Sequence, residues 1–226
     1  MLRVKEKLAR GELATMVLVN YTSPNLVEAL GKLGFDIAMI DCEKGNASSE
    51  RIEEMCRGAR AAGIAAIVRP YNSDPGLISR YLDLGADGVM VAAVDNVPAA
   101  KALAEAVRYA RFKDYADKIV MAMIESPEAI ADLPNLLAVD GIDIWFIGPN
   151  DLAHRMGMPG KGDTQPVRDA VHGALRTIHA AGRIGGTLTT VDTPAALHAS
   201  GARLLLCRAA QLLEQGARAY QATLPQ

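Results

Sequence analysis

The sequence predicts an α/β fold, a single-domain (β/α)8 TIM barrel over residues 1–226. Three observations predict it. Apolar runs of strand length alternate with helical patterns about eight times along the chain. Several helical patterns end in a glycine that leads into the next apolar run: Leu33-Gly34-Phe35, Ala62-Gly63, Leu84-Gly85-Ala86-Asp87 and Ser200-Gly201-Ala202. The residues that follow the apolar runs are polar, whereas those that precede them are mostly Gly and Ala. A doubly wound open sheet is the structural alternative. No GxGxxG follows the first strand, which counts against its dinucleotide-binding form.

In chain order, Lys5–Arg10 reads as a short lead-in helix. Ala14–Asn20 is a first strand and Pro24–Leu33 a helix. Phe35–Asp41 is a second strand, with a Ser-capped helix at Ser48–Ala62. Ala65–Arg69 is a third strand stopped by Pro70, and Asp74–Leu84 a helix. Asp87–Val94 and Lys118–Ile124 are the fourth and fifth strands, followed by helices Val97–Ala110 and Pro127–Leu137. Ile142–Ile147 is a sixth strand that stops at Gly148-Pro149, with helical turns at Asp151–Met156 and a longer helix at Val167–Ala181. Arg183–Leu188 and Arg203–Cys207 complete the strands, with helices Thr193–Ala199 and Ala209–Ala222.

Bulk properties exclude several function classes. Half of the residues are apolar, enough for a large core, and the formal net charge is −2 with no long basic run. Nucleic acid and anionic membrane are therefore not expected partners. Cys42, Cys56 and Cys207 are odd in number and form no CxxC, which points to a reducing cytoplasm rather than disulfides or zinc. The N-terminus lacks a signal-peptide core, and no apolar run approaches the roughly 18 residues of a membrane span.

In a barrel of this kind, function sits where strands end. Those ends carry Asn20; Asp41, Glu43 and Lys44; Arg69; Asp95 and Asn96; Glu125; Asn150 and Asp151; Thr187, Thr189 and Thr190; and Arg208. Glu125 and Asp151 follow neighbouring strands and supply the hard oxygen donors that Mg²⁺ or Mn²⁺ takes. Each acid alone reads first as a helix-start residue, and the two together on neighbouring strand ends favour the metal. Arg69 offers a guanidinium for a carboxylate, or an ion pair with Asp41 or Asp83. Lys44 is a solvated cation, a proton donor or, if desolvated, a base. Gly148-Pro149-Asn150 either presents the backbone N–H groups of Asn150 and Asp151 to an anion or makes a tight turn. His154, His172, His179 and His198 fall in helical patterns and read as surface residues.

Five segments carry a family resemblance: GFDIAMIDCEKG (34–45), AAIVRPYNSDPGLISRYLDLGADGVMV (65–91), AMIESPEAI (122–130), GIDIWFIGPNDLAHRMG (141–157) and GGTLTT (185–190). The chain resembles the HpcH/HpaI family of metal-dependent pyruvate aldolases. The resemblance implies a (β/α)8 barrel, a homo-oligomer (trimer or hexamer) with exchanged C-terminal helices, and a Mg²⁺, Mn²⁺ or Co²⁺ ion on Glu125 and Asp151. It implies a small 2-oxo acid substrate held by Arg69, Gly148, Asn150, Asp151 and Leu188. Carbon–carbon cleavage would pass through a pyruvate enolate, with Arg69, Lys44, Asp83 and Asp41 as the candidate catalytic residues. Lys44 stands where the family motif has a His supported by an Asp equivalent to Asp83. The family's long loop after the helix that follows the fourth strand is absent, Ala92 replaces a usual proline, and Leu206-Cys207-Arg208-Ala209 replaces a polar turn. The alternatives are an oxaloacetate-type decarboxylase, a citrate-synthase-like condensing enzyme, and a non-catalytic metal- or ligand-binding barrel.

Overall fold

Eight apolar runs form the strands: β1 (Ala14–Val19), β2 (Ile37–Asp41), β3 (Ala65–Arg69), β4 (Gly88–Val91), β5 (Ile119–Ile124), β6 (Ile144–Ile147), β7 (Ile184–Leu188) and β8 (Ala202–Arg208). In the computed structural model, which describes residues 3–225, they pair in parallel in sequence order. β8 returns to β1 with Leu18 opposite Arg208, so the barrel is closed and has no sheet edge. The helices are α1 (Arg3–Ala9), α2 (Pro24–Lys32), α3 (Ser49–Ala62), α4 (Pro75–Asp83), α5 (Val97–Ala110), α6 (Pro127–Ala131), α7 (Leu133–Leu137), α8 (Pro149–Arg155), α9 (Gln165–Ala180), α10 (Pro194–Ala199) and α11 (Ala209–Gln221). Among the described residues, no helix is long and apolar enough to cross a membrane.

Strand alternation divides the core in two. Met16, Leu18, Met39, Ile67, Met121, Met123, Phe146, Leu204 and Leu206 point inward and fill the barrel. Val17, Ile40, Val68, Val120, Trp145, Ile147 and Leu205 point outward and meet the helices. Val4 and Leu8 of α1 join the inner cluster and plug the end of the barrel where strands begin. Lys7 and Lys5 fasten that plug to Asp36 at 2.8 Å and Asp143 at 3.2 Å.

That end repeats one device. Asp36, Asp87 and Asp143 each follow a Gly-x step and accept the backbone N–H of Thr15, Ala66 and Val120, respectively, at 2.8–2.9 Å. Their glycines, Gly34, Gly85 and Gly141, have φ of 89°, 100° and 90°, values an L-residue rarely adopts.

Several predicted boundaries differ from the structure by a few residues, and three of the differences have a clear physical cause or consequence. The expected helix Pro127–Leu137 breaks at Asp132, because Pro134 has no N–H to donate and starts a new first turn in α7. The expected fourth strand stops at Val91, and Ala93 takes a φ of 54°. α8 begins at Pro149 rather than Asp151, with proline in the first turn where its missing N–H costs nothing.

Candidate active site

Alternation beyond the inner core builds the site. Asp41 follows inward Met39 by two residues, Arg69 follows Ile67, Glu125 follows Met123, Gly148 follows Phe146, and Arg208 follows Leu206. All five line one cavity of about 260 Å³ at the carboxyl ends of the strands, together with Lys44, Asn150, Asp151 and Leu188.

Arg69 is the most constrained side chain there. Its Nε and Nη2 donate to the two Asp41 oxygens at 2.9 and 2.7 Å, and Nη1 lies 2.9 Å from Glu43 Oε2. Arg69 and Asp41 are 8% and 7% exposed, so this ion pair is buried. Burial alone would raise the Asp41 pKa. Arg69 and the N–H groups of Lys44 and Glu43 outweigh it and hold the carboxyl below its usual range. Of the five guanidinium N–H groups, two make hydrogen bonds, both to Asp41; Glu43 is close enough for charge attraction but accepts no hydrogen bond at Oε2. Of the two ion-pair partners expected for Arg69, the structure shows Asp41. Asp41 also shapes its own loop, since Oδ1 accepts from Glu43 N at 3.0 Å and Lys44 N at 3.3 Å. A Cβ at Gly45 would lie 2.0 Å from the Asp41 carbonyl oxygen, so glycine closes that turn.

Glu125 is 5% exposed and is not a helix cap; Ser126 caps α6 by accepting from Ala129 N. Its Oε2 accepts from Ala93 N at 2.9 Å, and its own N–H donates to Asp95 Oδ1 at 3.0 Å. Burial, then the Asp151 charge, pushes its pKa up to about 7. A Cβ at Gly148 would meet Glu125 Oε1 at 2.7 Å, so this glycine leaves the room in which the carboxylate lies. Asp151 lies in the first turn of α8 and makes no side-chain cap. Two converging carboxylates, one buried with its proton affinity raised by the other, are a donor set that fits a hard divalent cation. Among the described residues no group of three or more His, Cys, Asp or Glu stands together.

Lys44 Nζ stands 3.8 Å from Asp151 Oδ2. It follows β2 and Asp151 follows β6, strands on opposite sides of the closed barrel, so this pair spans the mouth. The Lys44 side chain is 64% exposed, so it stands largely in solvent at the mouth.

Several expectations are corrected. Asp83 does not line the cavity of its own chain. α4 runs back toward the strand starts, and Asp83 at its carboxyl end pairs with Arg111 at 3.4 Å. Thr187 faces outward and donates to the Ile147 carbonyl. Asn96 caps α5. His172 is half-buried between Ser200 at 2.7 Å and Asp192 at 3.1 Å rather than a surface residue. Sequence reasoning also missed two supports. Ala93 reaches Glu125 through a left-handed backbone that nothing in its residue type signals, and Arg155 pairs with Asp95 at 2.8 Å across 60 positions.

The pattern of the HpcH/HpaI aldolase/citrate lyase family matches residues 14–207. The chain belongs to this family. The chain is 31% identical over 209 residues to the hydroxypyruvate/pyruvate aldolase of Cupriavidus necator, covering 82% of this chain and 78% of that one. An HpcH/HpaI aldolase from Desulfitobacterium hafniense superposes with a TM-score of 0.85 at 25% identity, over 100% of this chain and 98% of its own. The citrate synthase SbnG shares the fold, with a TM-score of 0.88 at 24% identity over 99% and 97% of the two chains. The HpcH/HpaI relatives are aldolases, carbon–carbon lyases, and this chain is an enzyme of that type. Lys44 stands beside Asp151 at the mouth, and no histidine is among the described residues that line the cavity.

Proposed function

We propose that the chain is a metal-dependent carbon–carbon lyase that acts on a small 2-oxo acid. The convergence of Glu125 and Asp151 beside Arg69 carries the reading. A divalent cation on the two carboxylates would act as a Lewis acid on the 2-oxo group. Glu125, with Oε2 held by Ala93, presents Oε1 to it. The Arg69 N–H groups not bonded to Asp41 would bond the oxygens on which negative charge develops as the carbon–carbon bond breaks. The N–H groups of Asn150 and Asp151, in the first turn of α8, have no helical acceptor and suit the substrate carboxylate, with Leu188 on the facing wall.

The histidine-free wall favours a second reading, decarboxylation of an oxaloacetate-type substrate, because loss of CO₂ needs no base to take a hydroxyl proton. One pair of measurements separates them. The protein with Mn²⁺ should release pyruvate from oxaloacetate faster than Mn²⁺ in buffer, and the excess should vanish in Glu125→Gln. Exchange of the pyruvate methyl protons with deuterium, read by NMR with Mg²⁺ present, would favour the aldolase. Its absence beside oxaloacetate cleavage would favour the decarboxylase. A rate equal to that of metal alone in both assays overturns the lyase reading.

The assembly is read as a homo-oligomer, a trimer or hexamer in which α11 is exchanged. In support, α11 buries only Ala209 against its own barrel and exposes Leu213 and Tyr220. The three thiols are free, which supports the cytoplasmic assignment.

A further inference from the structure

Three cations line the cavity, and they differ in what they face. Arg69 is held by two carboxylates, Asp41 and Glu43. Lys44 faces Asp151. Arg208 has no ion pair and no side-chain hydrogen bond to any of the described residues. It is not a loose surface arginine. Leu204 and Leu206 lie in the inner barrel cluster, so strand alternation carries the Arg208 side chain inward over the same axis. It is half-buried, it stands at the N-cap position of α11, and it makes no capping bond there. A half-buried guanidinium with no counter-charge loses solvation without return unless a ligand supplies the partner.

Its position separates it from the chelating end of the site. β8 lies next to β1 and β7, whereas Glu125 and Asp151 follow β5 and β6. A ligand whose 2-oxo acid end lies on Glu125, Asp151 and Arg69 would extend its other end toward Arg208. The cavity of about 260 Å³ has room for a chain of a few carbons between them.

We propose that Arg208 is a specificity-determining residue that bonds a second anionic group, a carboxylate or phosphate, on the far end of the substrate. This rests on the reading of the site as one for 2-oxo acids. The guanidinium offers two parallel N–H donors to either anion. A substrate ending in a neutral group leaves Arg208 uncompensated and binds less well.

The test uses three ligands with the same head and different tails, titrated calorimetrically into the Mn²⁺-loaded protein. They are 2-oxopentanoate (neutral tail), 2-oxoglutarate (carboxylate) and 2-oxo-4-phosphonobutanoate (phosphonate). Oxalate, which has no tail, reports on the chelating end alone. Wild type should bind at least one charged-tail ligand about tenfold more tightly than 2-oxopentanoate, and the better of the two names the anion. Arg208→Gln should bring all three within about twofold of one another, and Arg208→Lys should keep part of the preference, while oxalate still binds both variants. Oxalate binding in each variant shows that the fold and the chelating end are intact. Equal affinities in wild type, or a preference that survives in Arg208→Gln, with oxalate still bound, overturns the role of Arg208 alone. Failure of wild type to bind oxalate overturns the site reading and this proposal with it.

Discussion

Gly148 lacks a side chain because Glu125 lies where its Cβ would be, at 2.7 Å from Oε1 and 2.9 Å from Cγ. Its φ of −91° is open to any residue, so the constraint comes from the neighbouring carboxylate and not from the backbone. The clash would be relieved by moving Glu125, whose end is flexible, and not by unfolding β6. Gly148→Ala should therefore fold normally and lose about tenfold or more in Mn²⁺ affinity, measured by titration calorimetry. Wild-type affinity in that variant would show that Glu125 does not hold the cation through Oε1. Arg69 is constrained in the opposite way. Its neighbours Asp41 and Glu43 were both legible as strand-end acids, yet which of them held it, and that Asp83 did not, depended on which helix ends lie at the same end of the barrel.

At the scale of elements, most strands and helices were legible because each carries its own signal. Strands are unbroken apolar runs, as in a sheet covered on both faces, and six helices start at a Ser, Thr, Asp or Asn that accepts a first-turn N–H. The misses lie where a local signal is overruled. Ala93 is held in a left-handed conformation by the hydrogen bond to Glu125, and Pro134 divides a helical pattern into two turns. α11 differs from the other long helices. It is amphipathic in sequence but meets its barrel mainly through Ala209 and the partly buried Leu212, which leaves Leu213 and Tyr220 more than half exposed. Sedimentation velocity should find an oligomer in solution. Leu213→Glu with Tyr220→Glu should shift it to smaller species while circular dichroism stays native-like, and a monomeric wild type would remove the exchange of α11.

At the scale of the whole molecule, the buried Glu125 links global stability to pH. Burial and Asp151 raise its pKa from 4.5 to about 7 in the folded chain, so between these values the folded state holds a proton that the unfolded state has released. The linkage sign follows: this contribution to stability is present below pH 4.5, declines as pH rises, and is gone above about 7. Other carboxyls titrate too, so the measurement is a difference. In the presence of chelator, the wild-type Tm minus that of Glu125→Gln should fall as pH is raised from 5 to 7.5. Saturating Mn²⁺ should restore it at the upper end, because a bound cation favours the ionised form. A difference flat in pH would mean that Glu125 is ionised throughout.

What the sequence by itself determined is the barrel and the set of polar residues at its active end. Both follow from local regularities: apolar runs, glycine stops, and the step of two that turns Asp41, Arg69 and Glu125 inward after Met39, Ile67 and Met123. The tertiary structure alone decided who meets whom. Closure of β8 on β1 puts Lys44 within 3.8 Å of Asp151 across the mouth and leaves Arg208 on the wall without a counter-charge. The antiparallel run of α4 sends Asp83 to the far end. The physical reason is range. Backbone preference and burial act over a few residues and are written in each segment, whereas charge pairing depends on distances between side chains far apart in sequence, which exist only once the barrel has closed.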